Sequence, residues 1–72
     1  MAVQELNREQ LTQLKQHFLI QLSNEGRYSN YFQVDWDTPS YGELANADDL
    51  VTDEEVMREY AGVRFVPEDF CA

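Results

Sequence analysis

The sequence predicts a small, mainly α-helical single domain spanning residues 1–72, with a long N-terminal helix, two short helices and an optional two-stranded β-ribbon that would make it α+β. Three observations carry that reading. Apolar residues recur at helical spacing from Leu11 to Leu22, cap signals precede residues 8, 41 and 53, and two short stretches rich in aromatic and β-branched residues follow helices. A chain of 72 residues buries only about 60% of the surface its unfolded form exposes, so its core is small, and a partner or dimerisation is a natural way to complete it.

The first helix is expected over 8–25. Asn7 is a good N-cap, Gln10 completes a capping box, and Leu6 with Leu11 occupies the staple positions. Leu11, Leu14, Phe18 and Leu22 form one stripe, which Leu19 widens; Gln13, Gln16, His17 and Gln21 lie off it, and Ile20 lies nearly opposite. Gly26 suits the residue after the cap. In 31–36, Phe32, Val34 and Trp36 alternate with Tyr31, Gln33 and Asp35. That spacing fits a strand, and the residues equally fit an aromatic-rich loop or helical turn over the end of the first helix. Thr38-Pro39, or Ser40 with Glu43, restarts a helix over about 39–47, with Tyr41, Leu44 and Ala45 inward and Asp48-Asp49 turning the chain. Thr52 with Glu55 and Val51 with Val56 open the last helix, Val56, Met57 and Tyr60 supply its buried side, and Gly62 stops it. Val63–Val66 is a short strand candidate ended by Pro67, able to pair with 32–36 as a ribbon.

Charge is the strongest functional signal. The formal net charge is −9, and residues 1–34 balance three acids against Arg8, Lys15 and Arg27. Residues 35–72 carry eleven acids against Arg58 and Arg64, so the imbalance lies wholly in the acidic half. Apolar anchors interrupt those acids, which predicts a folded acidic face rather than a solvated tail. Its residues are Asp35, Asp37, Glu43, Asp48, Asp49, Asp53, Glu54, Glu55 and Glu59, followed by Glu68 and Asp69. Such a face disfavours direct contact with nucleic acid or anionic membrane and favours a basic protein surface. Homodimerisation is compatible with it.

Other chemistry is poorly supported. The lone His17 and the penultimate Cys71 make neither a nucleophile–base pair nor a zinc ligand set. Asp35-Trp36-Asp37 begins like a calcium loop but continues with Pro39, Ser40 and Asn46 where the loop needs a ligand, glycine and glutamate. Gly26, Gly42 and Gly62 punctuate helices and form no phosphate loop. The expectation is a protein without catalytic residues, cofactor or metal. No apolar run exceeds three residues, as in Phe18-Leu19-Ile20, too short for a membrane-spanning helix. Met1-Ala2-Val3-Gln4-Glu5 resembles neither a secretion nor a lipidation signal, and Cys71-Ala72 does not fit prenylation. A single cysteine forms no internal disulfide, which points to a reducing, cytoplasmic setting.

The run Ser40-Tyr41-Gly42-Glu43-Leu44-Ala45-Asn46-Ala47-Asp48-Asp49-Leu50-Val51 continues through Asp53-Glu54-Glu55-Val56 to Tyr60-Ala61-Gly62-Val63-Arg64-Phe65-Val66-Pro67-Glu68-Asp69-Phe70-Cys71. With the opening Leu6-Asn7-Arg8-Glu9-Gln10-Leu11, it resembles short acidic uncharacterised proteins of bacterial phages and conjugative elements. That resemblance carries no assigned activity or site residue. Its context implies a small inhibitor of host defence, of anti-restriction or anti-CRISPR type, acting as a DNA mimic on a nucleic-acid-handling enzyme. In that reading Tyr41, Tyr60 and Trp36 are core residues first and anchors only where exposed. Two rival readings remain open. One is a small structural or regulatory subunit binding through apolar contacts around Ile20 or the aromatic segment 28–36. The other is a weak divalent-cation module using Asp48, Asp49 and Asp53.

Overall fold

In the computed structural model, which describes residues 1–66, a 3-10 turn at Val3–Glu5 leads into α1, Arg8–Asn24. Then follow α2 (Tyr28–Phe32), α3 (Tyr41–Ala45), α4 (Ala47–Leu50) and α5 (Asp53–Glu59). Each of the four short helices packs against α1. The expected features at Pro67, Glu68, Asp69, Phe70 and Cys71 lie outside the described residues.

α1 forms as its signals dictate. Asn7 Oδ1 accepts from Gln10 N at 2.8 Å and Gln10 Oε1 accepts from Asn7 N at 3.0 Å, closing the capping box. Gly26, with φ of +70°, carries the chain out of the helix through the left-handed region. The stripe Leu11, Leu14, Phe18, Leu19 and Leu22 is buried throughout, with Leu6 beside it, while Ile20 is 43% exposed.

Residues 28–32 form a short helix, so the expected strand is absent and no ribbon joins it to 63–66. The alternative reading, a helical turn over the end of α1, is the observed one. Tyr28 and Phe32 stand one turn apart with ring centroids 4.9 Å from each other, and Tyr31 meets Phe18 edge-on at 5.4 Å. In this arrangement Tyr28 is fully buried. Gln33 then ends the turn at φ 56°, a left-handed position taken here by a residue other than glycine. The second half of the expected ribbon finds a different neighbour: Arg64 bridges antiparallel to Ala2, and Phe65 N donates to Met1 O at 2.7 Å.

The helix expected at 39–47 is divided. Ser40 caps α3 through a reciprocal box with Glu43, and the chain bends at Asn46 before α4. The inward set also differs from expectation. Tyr41 is 92% exposed, Ala45 is exposed and Leu44 is half-buried, while Ala47 and Val51 are fully buried. Asp48 and Asp49 therefore continue in helix instead of turning the chain. The staple pair Val51 and Val56 is fully buried under α5, and Gly62, at φ +84°, follows that helix. No helix among the described residues is long and apolar enough to cross a membrane.

Thr52 Oγ1 accepts from Glu55 N at 3.2 Å and is the side-chain cap of a helix of only seven residues. Thr52→Ala should lower stability by about 1 kcal/mol, measured as a shift in the urea midpoint.

Candidate acidic interface

α1 presents Arg8, Thr12 and Lys15 along one side, at i, i+4 and i+7, toward α4 and α5. Lys15 is only 1% exposed. Its Nζ lies 3.0 Å from Asp48 Oδ1 and 2.7 Å from Asp53 Oδ1. Arg8 Nη2 donates to Asp53 Oδ2 at 2.6 Å, Arg8 Nη1 stands 3.6 Å from Asp48 Oδ1, and Thr12 Oγ1 donates to Asp48 Oδ2 at 2.7 Å. Two of the nine expected interface acids are thus held by cations from the neutral part of the chain.

These contacts shift the carboxyls. Hydrogen bonds from Thr12 and then Lys15 hold Asp48 below the usual aspartate range, and those from Lys15 and then Arg8 do the same for Asp53. The hydrogen bond to Asp53 likewise raises the Arg8 guanidinium.

Three more acids accept hydrogen bonds within the fold, Glu43 and Glu55 from half-buried positions and Asp37 from an exposed one. Glu43 accepts from the Tyr28 hydroxyl, and its Oε1 accepts from Ser40 N at 3.1 Å. The Tyr28 bond, followed by those from Ser40, lowers the Glu43 carboxyl, while burial and then Glu43 raise the Tyr28 phenol. Glu55 accepts from the Tyr31 hydroxyl and from Thr52 Oγ1 at 3.3 Å. Burial, then the Glu55 hydrogen bond, pushes Tyr31 up to about 12. Asp37 Oδ1 accepts from Ser29 N at 3.3 Å.

The remaining four, Asp35, Asp49, Glu54 and Glu59, are exposed, and their side chains take no hydrogen bond or ion pair among the described residues. The nine acids therefore divide into five whose side chains take hydrogen bonds or ion pairs within the fold and four whose side chains take none among the described residues. Of the expected anchors, Tyr41 and Trp36 are exposed, and Tyr60 is half-buried, its hydroxyl donating to Gln21 Oε1 at 2.8 Å. Among the described residues no three His, Cys or carboxylate side chains converge as a metal site. Asp48 and Asp53, on which the cation reading relied, have the Lys15 ammonium between them.

Lys15 is the residue that sequence reasoning passed over. On a helical wheel it falls inside the apolar arc, between Leu22 and Leu19, and a lysine there signals a carboxylate waiting on the facing element. The tyrosine partners of Glu43 and Glu55 had no comparable signal, because the spacing in 31–36 leaves strand and helical turn open and so does not orient Tyr28 and Tyr31.

Burial decides the energetics of the network. Replacing both carboxylates with Asp48→Asn and Asp53→Asn removes the charges that face a buried ammonium while keeping amide acceptors. It should cost about 2–3 kcal/mol, less than for a fully buried pair because the carboxylates are 40% exposed. Lys15→Met leaves carboxylates that are 40% exposed and still near Arg8, so it should cost only about 1–2 kcal/mol. Urea unfolding of the two variants at low salt checks the order.

The pH dependence follows from the same shifts. A carboxyl lowered by folding stabilises fully above its unfolded value, about 3.9 for aspartate, and that contribution is lost as pH falls through the lower folded value. The urea midpoint should therefore hold steady down to about pH 5 and fall below about pH 4, less steeply in the double asparagine variant. Tyr31 has the opposite sign: its contribution is present below the ordinary phenol value of about 10 and is lost as pH rises toward its folded value. Tyr31→Phe should flatten the alkaline decline.

No known protein family, curated protein or solved structure matches this chain.

Proposed function

We propose that this protein is a non-enzymatic acidic binding module whose partner is a basic surface of another protein. The observation that carries the reading is the incomplete internal use of its acids. α1 lends Arg8 and Lys15 to Asp48 and Asp53, and tyrosines hold Glu43 and Glu55, yet Asp35, Asp49, Glu54 and Glu59 stay outward. Arg27 pairs with Glu25 at 3.0 Å, and the only other cations are Arg58 and Arg64. Outward charge is therefore overwhelmingly negative, which repels nucleic acid and membrane and steers a basic partner.

The sharper form of the proposal is a mobile-element inhibitor of anti-restriction or anti-CRISPR type. As a DNA mimic it would occupy the nucleic-acid groove of a host enzyme in the cytoplasm, its carboxylates meeting cations that otherwise bind phosphate. The resemblance to short acidic phage and conjugative-element proteins supports this form.

The test is capture of partners from nuclease-treated bacterial lysate at low and high salt, with the chain and with a variant carrying Asp35→Asn, Asp49→Asn, Glu54→Gln and Glu59→Gln. These four leave every described hydrogen bond and ion pair of the fold in place, so circular dichroism should be unchanged. Recovery of a restriction, CRISPR or replication enzyme that is lost at high salt and with the variant is the expected outcome. Equal recovery by the variant counts decisively against the proposal.

A further inference from the structure

The side of α1 opposite its core stripe meets α3 along an open groove of about 320 Å³, lined by Gln16, Ile20, Tyr41, Leu44 and Ala45. Its lining is mostly apolar, and its one amide is already engaged, since Gln16 Nε2 donates to Leu44 O at 3.1 Å. Covering the groove would leave that amide N–H satisfied. Tyr41 is 92% exposed and Ile20 is 43% exposed, so two large apolar side chains stand in water beside half-buried Leu44. Tyrosine is enriched among the residues that anchor protein interfaces.

Charge selects the occupant. From Tyr28 to Met57 the chain holds eight acids and no lysine or arginine, and this stretch includes α3 with Glu43 and α4 with Asp48 and Asp49. Arg8 and Lys15, the α1 cations on the α4 side, are bound to Asp48 and Asp53. A second copy of this chain would bring a second cation-free stretch against the first, and a nucleic acid or anionic lipid surface would meet the same repulsion.

We infer that the Ile20–Tyr41–Leu44 groove receives one apolar side chain from a lysine- or arginine-rich segment of a partner protein, whose cations meet the acids around it. This rests on the acidic-module reading and adds the apolar anchor that fixes where the basic segment sits. Electrostatics steers the encounter, and the groove supplies register and a salt-resistant part of the affinity.

Two short lysine-rich peptides, identical except for leucine or serine at the centre, test it by titration into the intact ¹⁵N-labelled protein. The leucine peptide should bind roughly ten-fold more tightly and shift the amides of Ile20, Tyr41, Leu44 and Ala45. The Ile20→Ser, Tyr41→Ser variant, altered only at exposed positions, should bind both peptides with the weaker affinity. Equal binding of the two peptides by the unaltered chain, with shifts confined to the acidic residues, overturns the groove and leaves the acidic module standing. Binding of neither peptide overturns both. Self-association in sedimentation that the double variant abolishes would assign the groove to a second copy and overturn the inference.

Discussion

An ammonium group removed from water costs several kcal/mol unless carboxylates meet it at hydrogen-bond distance. Lys15 is in that position, buried on the core side of α1, and Asp48 and Asp53 answer it from two different helices. That requirement sets the arrangement of the acidic half. α4 and α5 must approach α1 at the level of Lys15, and Val51, between them, is drawn into the core with Ala47 and Val56. Apolar burial supplies most of the stabilisation, but it is tolerant of sliding, whereas a buried charge pair is not.

The same network changes the meaning of the acidic composition. In sequence the two parts of the chain look electrostatically separate, one neutral and one strongly negative. In space the neutral part lends its cations across the α1–α4 and α1–α5 contacts, which leaves Glu5 and Glu9 of the N-terminal region exposed without those cations as partners. Surface charge is therefore negative on both parts, while the most deeply engaged acids are structural. A reading that treated all nine acids as equivalent would place Asp48 and Glu55 at an interface and miss that they hold α4 and α5 in position. The outward acids and the Ile20–Tyr41 groove are chemically independent of that framework, so altering them leaves its contacts intact.

Local signals accounted for the elements whose chemistry is short-range. Asn7 with Gln10, Ser40 with Glu43 and Thr52 with Glu55 mark three helix starts because a cap is satisfied within three residues of itself. Gly26 and Gly62 mark helix ends because their positive φ is cheap for glycine alone. The stripe on α1 and the exposed Ile20 were legible from helical period. Residues 28–36 were not legible, since alternating aromatics satisfy a strand and a helical turn alike, and only packing of Tyr28 and Tyr31 against α1 chooses between them.

By itself, then, the sequence determined a mainly helical chain, the caps and ends of its helices, the buried face of α1 and a large excess of acid, all properties set by neighbours within a turn or by composition. Tertiary structure alone decided which acids are held within the fold and which stay exposed without a side-chain partner among the described residues, which way Tyr41 points, and that Ala2 rather than an aromatic strand lies beside Arg64. The physical reason is range. A cap or a stripe is closed by residues three or four positions away, but a buried lysine and its aspartates stand more than thirty residues apart, and only the folded chain brings them within 3.0 Å.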